Sequence, residues 1–215
     1  MEININVQEI TKKLSDRLMP TGWQQLLSNF LSGPEMRYII EQLVDIKKDD
    51  EYFVPAIRDV FRFLEMCPVY KVRVLLLIDV TNNRIDYDGI PFNNKYVSKI
   101  CKKIFDTIDK DYRPDINQWH KQGVLLVPVS PTSTLESTPN RDIWKPWTSY
   151  LVNKVCEEHA DIPVVMIGTR AHGYAYMIPS KYKKIVDTWP TMNHRNCWLW
   201  VNQILKSQNQ IEIEW

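Results

Sequence analysis

A three-layer α/β/α fold around a central four-stranded parallel sheet is what the sequence predicts, on three observations. Short, nearly continuous apolar runs recur at residues 71–79, 123–129 and 162–167, with a weaker one at 184–188. Runs of that kind suit strands buried on both faces. Longer segments with apolar residues every three or four positions separate them, and strands alternating with helices form parallel sheets. The length of 215 residues, 44% of them apolar and 25% charged, suits one globular domain. Residues 1–215 are therefore expected to form a single domain, with residues 1–54 as its N-terminal helical part.

Residues 16–32 read as the first helix, because Trp23, Leu26, Leu27 and Phe30 follow the i, i+3, i+4, i+7 pattern. Gly33-Pro34 breaks it, and residues 35–46 resume with Ile39, Ile40, Leu43 and Val44 on one side. The charged run from Lys47 to Glu51 marks a solvated turn. Pro55 opens another helix at a position where its missing N–H costs nothing, with Ile57, Val60, Phe61 and Leu64 as the buried face. Val72, Val74 and the run from Leu75 to Ile78 make the best strand, the central one. A polar loop over residues 81–88 ends it, and residues 95–108 are helical, with Val97, Ile100, Ile104 and Ile108 aligned. After the second strand, residues 130–140 are a Ser-, Thr- and Pro-rich loop. Residues 142–159 form a long amphipathic helix with Trp147, Leu151 and Val155 at helical spacing. The third strand turns at Gly168, and residues 197–206 close the chain as a helix.

Composition narrows the function classes. The longest apolar run, Val74 to Ile78, is far too short to span a bilayer, and residues 1–8 lack a basic-then-apolar leader. Cys67, Cys101, Cys156 and Cys197 sit singly with no CxxC pair, which suits reduced, buried thiols in a cytoplasmic or nuclear protein. His120, His159, His172 and His194 show neither metal-ligand spacing nor a His–Asp–Ser order. No metal or cofactor is expected. The net charge of +1 is small for a protein that grips DNA through phosphates, so DNA binding would be weak and local. Eight Trp and ten Tyr suit core and interface packing better than base stacking.

In a parallel sheet, ligands bind at the carboxyl ends of the strands, which directs attention to residues 79–83, 128–132, 168–172 and 189–194. Read in order, these ends and their surroundings resemble the uracil-DNA glycosylase family. The strand from Lys71 to Leu76 looks like the one leading into the family's GQDPY motif. Trp119 with Gln122-Gly123-Val124-Leu125-Leu126 closely matches its W-x-x-QGVLLLN segment. Trp144, Trp147 and Thr148 loosely resemble W-E-x-F-T, and Gly168 and Ala171 sit where the family has WGxxA. Asn202 and Leu205, with the terminal Ile213-Glu214-Trp215, look like its N-x-x-L and final IDW. The resemblance runs from about Trp23 to Trp215 and implies a glycosylase-like fold.

It also implies roles that this chain fills poorly. Such enzymes flip a nucleotide out and read uracil in a tight pocket. Asp79 stands at the position of the Asp that orients the attacking water. Ile78 replaces the Gln that contacts uracil through its backbone, Thr81 replaces the Tyr that excludes thymine's methyl, and Phe92 matches the Phe that stacks on the base. The uracil-reading Asn is Pro128, which has neither an amide side chain nor a backbone N–H. The His that stabilises the anionic leaving group is Trp189; losing one preorganised donor of that kind costs roughly 2.7–4 kcal/mol. The loops that wedge into and pinch the DNA are shortened. The expectation is a catalytically inactive homologue that binds protein, DNA or both in a replication or repair complex, by analogy a viral one. Contacts are expected from His172, Lys181, Lys183, Lys184, Trp198 and Trp200, with Tyr174 and Tyr176 as further aromatics. The alternative is a divergent glycosylase, or another base or nucleoside hydrolase, in which Asp79 still orients water.

Overall fold

The computed structural model describes residues 6–48, 53–79, 87–92, 115–134, 141–187 and 197–215. Four strands run parallel in the order β3-β2-β5-β6: Val124–Pro128 (β3), Val74–Ile78 (β2), Val164–Ile167 (β5) and Lys184–Asp187 (β6). β2, β3 and β5 are buried along their whole length, which is why their sequences lack polar alternation. Their side chains nevertheless sort by parity. Leu75, Leu77, Leu125, Val127, Val164 and Met166 enter one core, whereas Val74, Leu76, Ile78, Val124, Leu126, Val165 and Ile167 enter another. The sheet is thus covered on both faces, giving the three layers read from the sequence.

The first core lies under the N-terminal helices. Val7–Arg17 (α1) begins at Asn6, whose side-chain oxygen accepts from the N–H groups of Gln8 and Glu9 at 3.0 and 3.3 Å. The single helix expected over residues 16–32 is broken. α1 stops at Arg17, a 3-10 turn covers Met19–Thr21, and two one-turn helices follow, Trp23–Leu26 (α2) and Ser28–Leu31 (α3). Pro20 withholds an N–H and Gly22 takes the left-handed region at φ 81°, so one axis cannot continue. The periodicity still reports burial: Trp23, Leu27 and Phe30 are in the core, and the Trp23 indole donates to the Cys67 carbonyl at 2.8 Å. Pro34–Lys48 (α4) matches its pattern. Pro55 does not itself start a helix. Ala56 stays extended, Ile57–Asp59 is 3-10, and the helix proper is Arg62–Met66 (α5). Phe61 stacks on Trp147 of the long helix Arg141–Glu158 (α7) at 4.4 Å between ring centroids.

A two-stranded ladder not read from the sequence, Phe53–Val54 (β1) with Ser133–Thr134 (β4), ties the segment before α5 to the loop after β3. The helix expected over residues 95–108 lies outside the described residues.

The second core is closed by Ile116–Lys121 (α6), Cys197–Ser207 (α9) and the last residues of the chain. Trp119, Trp198 and Trp215 meet there with centroids 4.5–5.7 Å apart. The tail is held as if in a sheet, but by side-chain amides. Gln122 donates to the Glu214 carbonyl at 3.0 Å and accepts from its N–H at 2.8 Å. Asn202 does the same for Ile213, at 2.9 Å both ways. Arg73 adds bonds to the side-chain oxygen of Gln210 and to the carbonyls of Gln122 and Ile211. Truncating Trp215 to Ala should therefore cost about 3–5 kcal/mol, as for other core aromatics, read as a lower urea midpoint.

His120 of α6 is buried, its Nδ1–H donates to the Val124 carbonyl at 3.2 Å, and its Nε2 has no hydrogen-bond partner among the described residues. Burial lowers its pKa from 6.5 to about 4, and burial also lowers that of His159. Between those values the unfolded chain binds a proton at residue 120 that the folded protein refuses. Stability present above pH 6.5 is consequently lost as pH falls toward 4, by roughly 3 kcal/mol. Urea unfolding at pH 7 and pH 4.5 should show a shallower loss for His120→Asn, which keeps a donor for Val124 and cannot titrate.

Candidate functional site at the carboxyl edge of the sheet

The register of β2 determines what meets at the carboxyl edge. Ile78 is level with Pro128 of β3 on one side and Ile167 of β5 on the other. One residue further on, the Asp79 N–H donates to the Ile167 carbonyl at 2.8 Å and the Val129 N–H donates to the Ile78 carbonyl at 2.9 Å. The strand ends are thus stitched together beyond the sheet proper. Gly168 makes the approach on the β5 side possible. It has φ 93°, and a Cβ there would lie 2.7 Å from the Cβ of Asp79.

From Gly168 the chain turns into the single helical turn Thr169–His172 (α8). That turn presents Arg170 to Asp79 twice. Its backbone N–H donates to Oδ2 at 2.9 Å, and its guanidinium Nε stands 2.7 Å from Oδ1. The Asp79 side chain is 9% exposed and that of Arg170 is 17% exposed. Arg170 escaped the sequence reading because its relation to Asp79 depends on β5 being the neighbour of β2.

On the β3 side Pro128 is buried, and the polar groups that follow it face inward. The Ser130 hydroxyl donates to the Thr132 carbonyl at 2.7 Å, the Trp144 indole to the Thr132 hydroxyl at 2.7 Å, and the Thr148 hydroxyl to the Val129 carbonyl at 3.0 Å. Tyr174 hydrogen-bonds Thr148, and burial raises its phenol pKa. Phe92 is buried in the same core as Ile78, Ile90 and Ile167 and has φ 67°, unusual for a bulky residue. Its loop is pinned by Asp88, which accepts from the Ile90 N–H at 3.2 Å and pairs with Arg62 at 3.0 Å.

The remaining sequence candidates are not gathered here. Thr81 and Trp189 lie outside the described residues. His172 ends α8 and is half-buried, close to the edge. Lys181 and Lys183 are exposed, but with Lys184 they lie at or before the amino end of β6, the opposite edge of the sheet from Asp79. The Lys184 ammonium donates to the carbonyls of Ala175, at 2.7 Å, and Ile178, holding the turn between them. Trp198 is in the tryptophan cluster, Trp200 is half-buried against it, Tyr174 is buried, and Tyr176 is 77% exposed. Among the described residues no group of three or more His, Cys, Asp or Glu could hold a metal ion, and no helix is long and apolar enough to cross a membrane.

Comparison with known proteins agrees with this architecture. No family model matches the chain. The uracil-DNA glycosylase of Mesomycoplasma hyopneumoniae is 25% identical to it, covering 87% of this chain and 95% of its own. Uracil-DNA glycosylase 1 of Bacteroides fragilis is 24% identical, covering 91% and 97%. Among solved structures, mimivirus uracil-DNA glycosylase superposes with a TM-score of 0.81 at 17% identity, over 94% of this chain and 88% of that one. The protein from Nitratifractor salsuginis gives 0.58 at 12%, over 92% and 94%. The fold, with its parallel sheet and edge of strand ends, is the uracil-DNA glycosylase fold. Over nearly its whole length the chain is similar to uracil-DNA glycosylases.

The close approach of Asp79 and Gly168 is testable. Gly168→Ala combines a left-handed backbone with a 2.7 Å clash and should lower stability by about 1–3 kcal/mol. Gly173→Ala, where the backbone is helical and the nearest atom is the Arg170 carbonyl at 3.2 Å, is the control and should change it far less. Thermal unfolding of the two variants beside the parent checks both.

Proposed function

We propose that this single-domain protein keeps the glycosylase fold for binding and has given up base excision. It would act as a component of a replication or repair complex that binds protein, DNA or both. The observation that carries this reading is Pro128, buried at the end of β3 and level with Ile78, where the family resemblance puts the amide that reads uracil. A proline there can neither donate to O4 nor accept from N3–H. Sites built on such a pair discriminate by about four to five powers of ten, and that selectivity has no source at residue 128. Trp189, in place of the leaving-group imidazole, supports the same conclusion from sequence. The buried free thiols Cys67, Cys156 and Cys197 suit a reducing compartment, cytoplasm or nucleus. With a net charge of +1, contact with nucleic acid would be weak and salt-sensitive.

Purified protein incubated with single- and double-stranded oligonucleotides containing uracil should release no more free base than Asp79→Asn does. In gel shifts, any retention at 50 mM salt should fade by about 200 mM. Base release by the parent that Asp79→Asn abolishes would overturn the proposal in favour of a divergent hydrolase in which Asp79 orients water.

A further inference from the structure

The position that the family resemblance assigns to water activation is engaged by a neighbour. A carboxylate has two oxygens with about four acceptor sites between them, and in Asp79 both oxygens face the same residue. Oδ2 takes the Arg170 N–H at 2.9 Å, and Oδ1 stands 2.7 Å from its Nε. The peptide N–H of Asp79 is bonded to Ile167, and Gly168 lets the β5 backbone close against its Cβ. Oδ2 is therefore hydrogen-bonded and the charge is matched from inside the protein, while Oδ1 meets the guanidinium as an ion pair without a hydrogen bond.

We infer that Arg170 converts Asp79 into a structural anchor, an internal ion pair that ties the carboxyl ends of β2 and β5 together and withdraws the carboxylate from orienting a water. The inference rests on the non-cleaving reading above and names the residue that completes it. A guanidinium suits the task because it is planar and offers its donors in a fixed fork. The surroundings make the contact matter. At 9% and 17% exposure the two side chains are little screened by solvent, and removing one partner of such a pair leaves the other charge buried and unmatched. Position 170 is one of the two unspecified places between Gly168 and Ala171 in the family's motif, so the substitution acts through Asp79 and alters no residue that would touch a base. Arg170 is in this sense a positioning residue.

The test is a double-mutant cycle with a spectroscopic readout. Asp79→Ala and Arg170→Ala should each lower the urea midpoint, and the double variant should lose clearly less than the two losses added. Arg170→Lys, which keeps the charge and loses the fork, should fall between parent and Arg170→Ala. In the parent protein, the side-chain Nε–H of Arg170 should exchange with water at least tenfold more slowly than that of the exposed Arg58, and that protection should vanish in Asp79→Ala. The exchange measurement on the parent needs no variant to fold. Additive losses, or an Arg170 Nε–H that exchanges as fast as that of Arg58, would overturn the inference. Base release by a parent protein that shows both coupling and protection would instead sink the non-cleaving reading and leave the ion pair standing.

Discussion

Ile78 lies level with Pro128 on one flank and Ile167 on the other, and the candidate site follows from that register. β2 lies between β3 and β5, and a shift by one residue would exchange its two faces and separate Asp79 from Gly168. The run from Val74 to Ile78 secures the register by being apolar on both faces: alternate residues fill two different cores. The bonds from Asp79 to Ile167 and from Val129 to Ile78 extend the ladder one residue past the sheet. The carboxylate is carried to the edge by packing that has nothing to do with chemistry.

The family-like residues that remain in this chain divide from those that have changed along a physical line. Gln122 and Asn202 clasp the tail, and Trp215 at its end enters the tryptophan cluster. Trp144 and Thr148 bond the loop after β3. Gly123, at φ 88°, brings its backbone so close to Lys71 that a Cβ would lie 2.1 Å from the Lys71 carbonyl oxygen. Each of these ties one segment of the fold to another. The altered residues Ile78 and Pro128 lie instead at the carboxyl edge of the sheet. Replacing Gln122 or Asn202 orphans polar backbone of the tail, whereas Ile78 and Pro128 donate no side-chain hydrogen bond and contribute by packing.

That division also explains what could be read from the chain. The strands were legible because β-branched and Leu-rich runs without polar alternation have few other uses, and the tail was legible through its resemblance. The helix pattern over residues 16–32 gave the buried face correctly, but not the breaks at Pro20 and Gly22, because apolar spacing records which side is covered and not whether one axis is kept. The two-residue strands β1 and β4 carry no periodicity to detect. Arg170, the ammonium of Lys184 and the burial of Trp198 are products of tertiary neighbourhood. Sequence spacing places Lys184 beside Lys183 and Lys181, and only the direction of β6 shows that this basic cluster sits at the far edge of the sheet from Asp79.

The polar chemistry of the edge is directed inward on both sides of Pro128. Ser130, Thr132 and Thr148 bond backbone or indole, Asp79 faces Arg170, and Asp88 faces Arg62. An edge prepared for a flipped base needs donors and acceptors held out toward the ligand before it arrives, at a cost in stability until it does. Here most of the described groups already face internal partners, and a base entering beside Asp79 would compete with Arg170 for the carboxylate. The described part of this edge is thus organised by internal pairing, with Arg170 as the partner that any ligand of Asp79 would have to meet.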